Sequence, residues 1–564
     1  MPPHRARTPT DAASPRRHPL HTHPQTRTTE AFTTRIFTAD RVHTLATGTA
    51  LPAFATVGEW IAAAGTVEEL RARFPEAPVH DFGDRTVVPG FNDAHQHPTS
   101  MAEAMLHVDL SPERVRTHEE LEAALRGRAA ELPSGAWLIG ARYDHGKTTG
   151  GTVIKRQDLD RICSDRPVMV THIASHWAVF NSAALSAAGL DDDSEPPAGG
   201  AYGRDAEGRL DGVLYEQAMM HLRSSPAPGR DPVVPVSPLA DRIEALGRYQ
   251  RMMHSAGITS VGDAAVASDG LELLQAADAA GALTLRVNAL LLYTAVPGME
   301  SIGLRTGLGG TRLRIGGVKA LVDGAVAGGT CLLEEPYEGT CEHGIQAMSE
   351  AELHDVVRRV HGAGGTVCVH ANGDRAIRLV LDAVEAAQAA DPRPGTRHRI
   401  EHCSLVDDTI LRRIAALGMV TVPFGSYVAF HGDKLTGWYG AKRLERMFAH
   451  RDLLDAGIPT AGSSDYPCGP YEPLLGLQSC VTRQTADGTV LGGNQRITAG
   501  EALALYTTGA AYAAGEEAVK GRLMPGMLAD FTVLDEDPLT TDPQRLAAIG
   551  VSETWVGAQQ VWQA

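Results

Sequence analysis

Residues 87–97 read VVPGFNDAHQH, a stretch that reads as a β-strand ending on two histidines spaced two apart. Side chains at i and i+2 of a strand share a face. His95 and His97 can therefore bind one metal ion together, and Asp93 lies on that same face. Imidazole suits zinc, iron, copper or nickel, and a hydrolytic site needs further ligands plus one position open to water. Other parts of the chain must supply them.

Three later strand ends do so. His370 closes TVCVH (366–370), His402 closes RIEH (399–402), and Asp465 follows the apolar run 458–464. One histidine at the end of an apolar run is ordinarily a satisfied core residue. Four histidines and an aspartate, all at carboxyl ends of strands in one α/β chain, point instead to a metal centre.

Strands are predicted at 87–97, 258–263, 285–292, 317–323, 366–370, 399–402, 420–423 and 459–465, and helices at 239–256, 350–363, 374–389 and 441–456. Strands alternating with helices mark a parallel α/β sheet or barrel. Eight strands, with ligands ending the first, fifth, sixth and eighth, predict a TIM-like (β/α)8 barrel over 90–515 with its site at that face. The gap at about 98–238 is longer than a βα connection requires and predicts an insertion domain. It carries strand-like runs at 137–142 and 167–173 and a turn-rich stretch at 199–218. Short β-like runs at 35–45, 53–64 and 79–88 are too few to stand alone, and the runs at 531–534, 551–556 and 560–562 offer partners.

The motifs PGFNDAHQH, GITSVGDA (257–264), VKALVDG (318–324), VHANGDRA (369–376), RIEHC (399–403) and SSDYP (463–467) together resemble the metal-dependent amidohydrolase superfamily. The tail GRLMPGMLADFTVLDEDP (521–538) and TWVG (554–557) extend the likeness, which runs from about residue 35 to the C-terminus. It is nearest to the YtcJ-like branch of amidohydrolase family 3, which includes N-substituted formamide deformylases. The resemblance implies a small discontinuous β-sandwich built from 34–89 and 516–564. It also implies that the insertion, through DRPVMV, SHWAVFNSAAL and GVLYE, covers the barrel mouth and shapes the substrate pocket.

Lys319, in VKALVDG, falls where several amidohydrolases carry a lysine carboxylated by carbon dioxide that bridges two metals. An unpaired lysine inside a barrel strand carries a large desolvation cost, which carboxylation removes; an ion pair with Asp323 is the alternative. A binuclear site then places His95, His97 and Asp465 on one ion, His370 and His402 on the other, with Lys319 shared. A mononuclear site uses His95, His97, His370 and Asp465, with His402 nearby. Zinc (Zn2+) is expected, one ion or two, and iron or manganese also suits the ligands.

A divalent ion makes hydroxide available at neutral pH and polarises a carbonyl. Asp465 is then placed to accept a proton and return it to a leaving nitrogen. His176 is a candidate donor to the developing oxyanion, with Tyr143 and Asp144 as weaker candidates. Asp263 is a candidate to orient a ligand imidazole, Asp374 and Arg375 to start a helix, and Glu401, beside His402, falls on the opposite side of its strand. The expected activity is hydrolysis of a non-peptide carbon–nitrogen bond in a linear N-substituted amide or formamide. The alternatives are a metal-dependent isomerase or dehydratase on the same barrel, and a non-catalytic binding or regulatory homologue, which degraded ligands would mark. Where relatives commonly read DGSLGSRTA, this chain has DGAVAGGTC (323–331), which removes a polar contact, and the aromatics Trp137, Tyr143, Trp177, Phe424, Tyr427, Phe430, Trp438 and Tyr439, in the insertion and after the seventh strand, suit an apolar or aryl substituent.

Composition fits this class. With 564 residues, 43% of them hydrophobic and 21% charged, the chain can bury a large core spread over two or three units. The net charge of −17 repels polyanions and argues against a nucleic-acid partner. Seven cysteines, odd in number and without CxxC spacing, predict free thiols in a reducing cytoplasm. No apolar run reaches the roughly 18 residues of a membrane span. Residues 1–33, which include His18, His21 and His23, lack a signal-peptide core and read as a disordered extension. A homodimer is the default assembly.

Overall fold

The computed structural model describes residues 33–46, 48–223 and 232–564. The extension predicted over 1–33, with His18, His21 and His23, lies outside the described residues up to residue 32.

Seven parallel strands form the barrel wall: Phe91–Gln96, Ile258–Val266, Arg286–Leu292, Leu313–Leu321, Val367–Ala371, Arg399–His402 and Val420–Val422. Each is hydrogen-bonded to its neighbour in chain order. The stretch 87–97 is two strands, Thr86–Pro89 and Phe91–Gln96, parted at Gly90. A Cβ on Gly90 would stand 2.3 Å from the Thr259 side chain, so only glycine passes here.

Residues 459–465, predicted as the eighth strand, form no regular strand. They complete the ring through single parallel bridges, Thr421 to Thr460 and Phe424 to Ser463. Ala94 donates to the Gly462 carbonyl at 3.1 Å, and Asp465 donates to the His95 carbonyl at 2.9 Å. Pro459 has no N–H to give, and Gly462 lies flat on the Tyr506 ring, so the ladder is sparse.

Helices Leu239–Ser255, Glu350–Gly362 and Asp374–Ala390 bury Met253, Val357, Val360, Val380 and Val384 against the outer face of the strands. The helix predicted at 441–456 is instead the end of Tyr427–Leu444 followed by a separate turn of helix, His450–Asp455. Phe448 between them has φ of 50°, a left-handed conformation that no α-helix continues through.

Residues between the first two barrel strands build a separate six-stranded sheet with its own apolar core. Its order is Gly200–Arg204, Leu210–Glu216, Trp177–Phe180, Val168–His172, Leu138–Tyr143 and Val108–Asp109. Strands from the two ends of the chain share one eight-stranded sheet, in which Phe531–Leu534 pairs with both Thr86–Pro89 and Val551–Val556. Phe37, Phe54, Phe531 and Trp555 meet on one face of it, with ring centroids 5.0–5.5 Å apart. Rings from strands that are not neighbours can touch only if the sheet is strongly curved. Arg286 of the third barrel strand ties this sheet to the barrel through Asp530, at 2.6 and 2.9 Å.

Candidate active site

His95 and His97 end the first barrel strand, and their Nε2 atoms lie 3.3 and 3.0 Å from the same Asp465 oxygen. Their other ring nitrogens are already committed: His97 Nδ1 to the Ala264 carbonyl at 2.7 Å, and His95 Nδ1 to the Glu401 carboxylate. Both acceptors suit an N–H at Nδ1, the tautomer in which Nε2 is free to ligate. The two Nε2 atoms and a carboxylate oxygen converge within 4.8 Å of one another. Two imidazoles and a carboxylate brought together in this way fit a metal ion.

His402 supports the same conclusion. Its ring lies 4.6 Å from that of His95 and 4.5 Å from that of His370, stacked on Phe424. It is buried, and Nδ1 has no hydrogen-bond partner, an orphan that a buried site otherwise avoids. His370 Nε2 lies 3.1 Å from the Gly324 carbonyl and 3.0 Å from the Asn372 side-chain amide nitrogen, which itself donates to that carbonyl. Lys319, 1% exposed, brings Nζ to 3.4 Å from His95 Nε2. The chain thus gathers His95, His97, Lys319, His370, His402 and Asp465 around one point at the carboxyl end of the barrel.

Among the described residues no carboxylate forms an ion pair with Lys319. Asp323, the expected alternative partner, accepts backbone N–H groups of Leu332, Asn372 and Gly373, and burial pushes it up to about 7. Burial lowers the Lys319 pKa, with Glu401 and Asp465 opposing. Burial also works to raise Asp465, but His402, His95 and His97 hold it well below the usual carboxylate range. His370 and His402 are pushed well down by burial and so are neutral, the form that ligates.

Asp93 faces away from these ligands: it accepts the amide of Ser464 at 3.1 Å and so anchors the segment that carries Asp465. Asp263 does not reach an imidazole nitrogen. Its carboxylate accepts the Thr99 amide at 3.2 Å, and burial pushes it up to about 7. Asp374 accepts the Glu334 amide at 2.9 Å while opening its helix.

Glu401 is the residue that strand alternation misplaced. It points into the barrel and holds His95, with Arg399 gripping both of its oxygens at 2.7 and 2.8 Å. His402 and Cys403 adopt φ of 71° and 44°, so the strand turns over at its end and both Glu401 and His402 can serve the site.

The insertion supplies the opposite wall. His176 lies with its ring 5.1 Å from His370, and both oxygens of buried Glu216 hold its Nδ1 at 2.9–3.0 Å. Burial works against the imidazolium, but Glu216, Asp465 and Asp323 raise its pKa overall. Tyr143 turns its hydroxyl inward to Thr149 and Thr152. A cavity of about 490 Å³ lies between insertion and barrel. Ala325, Val326, Ala327, Phe424, Tyr427 and Trp438 form its apolar side.

Its polar side carries a cluster that no spacing in the sequence reveals: Asp144, His145 and His172, with ligand atoms within 4.8 Å. Here the cation is already a side chain, for Lys434 Nζ lies 3.2 Å from Asp144. His172 Nδ1 accepts the Ala174 amide at 3.2 Å, so Nε2 carries the proton and turns it to His145. That polarity suits a hydrogen-bonded wall and not a metal ligand.

A barrel with a candidate histidine–aspartate metal site at its carboxyl face defines the class, and the chain belongs to the amidohydrolase family, whose model matches residues 79–562. It is a hydrolase of carbon–nitrogen bonds. Among its relatives, YtcJ of Bacillus subtilis (strain 168) is 30% identical over 505 residues, covering 88% of this chain and 93% of that protein. An N-substituted formamide deformylase of Arthrobacter pascens is 31% identical, covering 88% and 92%. A metal-dependent hydrolase of Pyrococcus horikoshii has a structure similar to this one with a TM-score of 0.72 at 25% identity, covering 91% of this chain and 99% of that one. No helix among the described residues is long and apolar enough to cross a membrane.

Proposed function

We propose that the protein hydrolyses a linear N-substituted amide or formamide, giving an amine and an acid, at a zinc centre. The observation that carries this reading is the convergence of His95 Nε2, His97 Nε2 and Asp465 within 4.8 Å of one another. The residues that would hold the metal are His95, His97, His370, His402 and Asp465, and a carboxylated Lys319 would add an anionic oxygen donor if two ions bind. Bound there, a divalent ion supplies hydroxide at neutral pH and polarises the substrate carbonyl.

The chain's own groups do the rest. Asp465, ionised, takes the proton of the attacking water and returns it to the nitrogen as the carbon–nitrogen bond breaks. His176, oriented by Glu216, donates to the carbonyl oxygen as it gains charge. Burial favours the free amine of Lys319, the form that adds carbon dioxide to give a carbamate and a proton. The apolar side of the cavity suits an alkyl or aryl substituent, and its volume is that of a small-molecule site. The activity named for the Arthrobacter pascens relative, deformylation of N-substituted formamides, is the first to assay.

The test is elemental analysis of protein purified without chelator, paired with turnover of a panel of N-substituted formamides and acyl amides. Bound zinc, with hydrolysis abolished in His95→Ala, is the expected result. No metal bound, and none taken up on reconstitution, refutes the reading.

A further inference from the structure

We propose that the buried Arg399–Glu401 pair is the positioning device of the metal centre, fixing His95 in the tautomer whose Nε2 lone pair faces the ion. The inference rests on the metal-site reading above and deepens it.

Arg399 and Glu401 occupy one face of the sixth barrel strand and are 1% and 0% exposed. Arg399 Nε donates to Glu401 Oε1 at 2.7 Å and Nη2 to Oε2 at 2.8 Å. The Oε2 atom also receives His95 Nδ1. The same Nη2 reaches the Ala94 carbonyl at 3.0 Å, so one guanidinium grips the backbone just before His95 and, through Glu401, its ring. The link crosses the barrel interior from the sixth strand to the first.

The companion ligand is held differently. His97 Nδ1 rests on a neutral backbone carbonyl, that of Ala264. Of the two, His95 alone has a carboxylate behind its Nδ1, and a carboxylate behind a ligating imidazole both sets its tautomer and raises its basicity. Stability alone is a poor account of the pair. Replacing a buried ion pair with apolar residues of similar volume is often neutral or stabilising. A purely structural pair thus predicts no loss of metal when both members are exchanged together.

Removing either member singly strands a buried charge, so the variants are double: Arg399→Met/Glu401→Leu, which leaves His95 Nδ1 without an acceptor, and Arg399→Met/Glu401→Gln, which keeps one. Zinc affinity is measured by competition with a chromophoric chelator, and the visible spectrum is recorded after cobalt substitution. The leucine variant is expected to bind zinc about 10- to 100-fold more weakly than the wild type, with a displaced cobalt spectrum. The glutamine variant is expected to recover most of that loss. Folded variants that both bind zinc as the wild type does, with unchanged cobalt spectra, overturn the proposal. A wild type that binds neither ion overturns the metal reading and the pair with it, a result distinct from failure in the variants alone. If the double variants do not fold, 15N-histidine NMR of the metal-free wild type decides, with the His95 signal assigned by its loss in His95→Gln. A proton on Nδ1 supports the proposal, and a proton on Nε2 overturns it.

Discussion

Exchanging His176 for glutamine is expected to lower kcat by about 10²- to 10³-fold, the worth of one oxyanion donor, roughly 2.7–4 kcal/mol. The structure sets how the donor works. His176 Nδ1 sits 2.9–3.0 Å from both Glu216 oxygens, so its proton is committed there. Nε2 carries a second proton only when the ring is an imidazolium. Burial opposes that charge and Glu216, with Asp465 and Asp323, favours it, and in the metal-free protein the balance is a raised pKa; a bound cation would offset the share due to Asp465 and leave Glu216 as the anion that favours the charge. The sign follows: a raised pKa keeps the imidazolium present to higher pH, so donation is available below it and is lost as pH rises through it.

Steady-state kinetics on a formamide across the neutral and alkaline range should therefore show kcat falling on the alkaline side. Glu216→Gln removes the anion that favours the charge, so this fall should move to lower pH, with bound metal unchanged. The interaction also stabilises the fold, fully below the unfolded histidine pKa near 6.5 and progressively less as pH climbs through the folded value. Thermal melts of wild type and Glu216→Gln should converge at alkaline pH. A His176→Gln enzyme with unaltered kcat and full metal content, or an alkaline limb that ignores Glu216→Gln, would refute the reasoning.

Lys319→Met keeps the length of the side chain but cannot be carboxylated, so elemental analysis is expected to show one ion lost from a binuclear centre; full occupancy would remove Lys319 from the bridge. Arg286→Met leaves Asp530, 5% exposed, without its cation and should cost about 3–5 kcal/mol in denaturant unfolding. Burial works to raise Asp530, but Arg286 holds it below the usual range. The stability it gives is present above about pH 4 and lost as pH falls through the lowered value, so Asp530→Asn should flatten the acid limb of the wild-type unfolding curve. Trp438→Ala opens the apolar side of the cavity and should raise KM for aryl formamides about 2- to 12-fold, the equivalent of 0.5–1.5 kcal/mol, while sparing N-methylformamide. Equal effects on both substrates would place the substituent elsewhere.

The barrel and its candidate ligands were legible because each rests on a local pattern. Apolar runs of β-branched residues mark the strands, and side chains that meet at the barrel mouth stand where such runs stop, so His95, His97, His370, His402 and Asp465 became candidates by position. Partners across the fold did not. Glu216 lies 40 residues from His176, and Lys434 lies 290 residues from Asp144. Nothing periodic joins either pair: Glu216 meets His176 through the antiparallel pairing of their strands in the insertion sheet, and Lys434 meets Asp144 only because that sheet lies over the barrel. The helix Tyr427–Leu444 was hidden for another reason: His431, Asp433 and Lys434, which line the cavity, and Gly432, Gly437 and Gly440 break the apolar period by which a helix is read.

Glu401 shows where the strand rule itself gives out. Alternation assigns residues 401 and 402 to opposite faces, and so makes one of them irrelevant to the other's site. That holds only while the backbone stays extended. At His402 φ is 71° and at Cys403 it is 44°, conformations costly for residues with a Cβ and tolerated where surrounding contacts over-determine them. The contacts here are Phe424 stacked on the His402 ring and Arg399 fixed to Glu401 from beneath. The strained turn is what lets one strand end give the centre both a ligand, His402, and the carboxylate that aims another ligand, His95. Relaxing it would return the strand to alternation and cost the site one of the two. The strain is therefore part of how the metal centre is assembled.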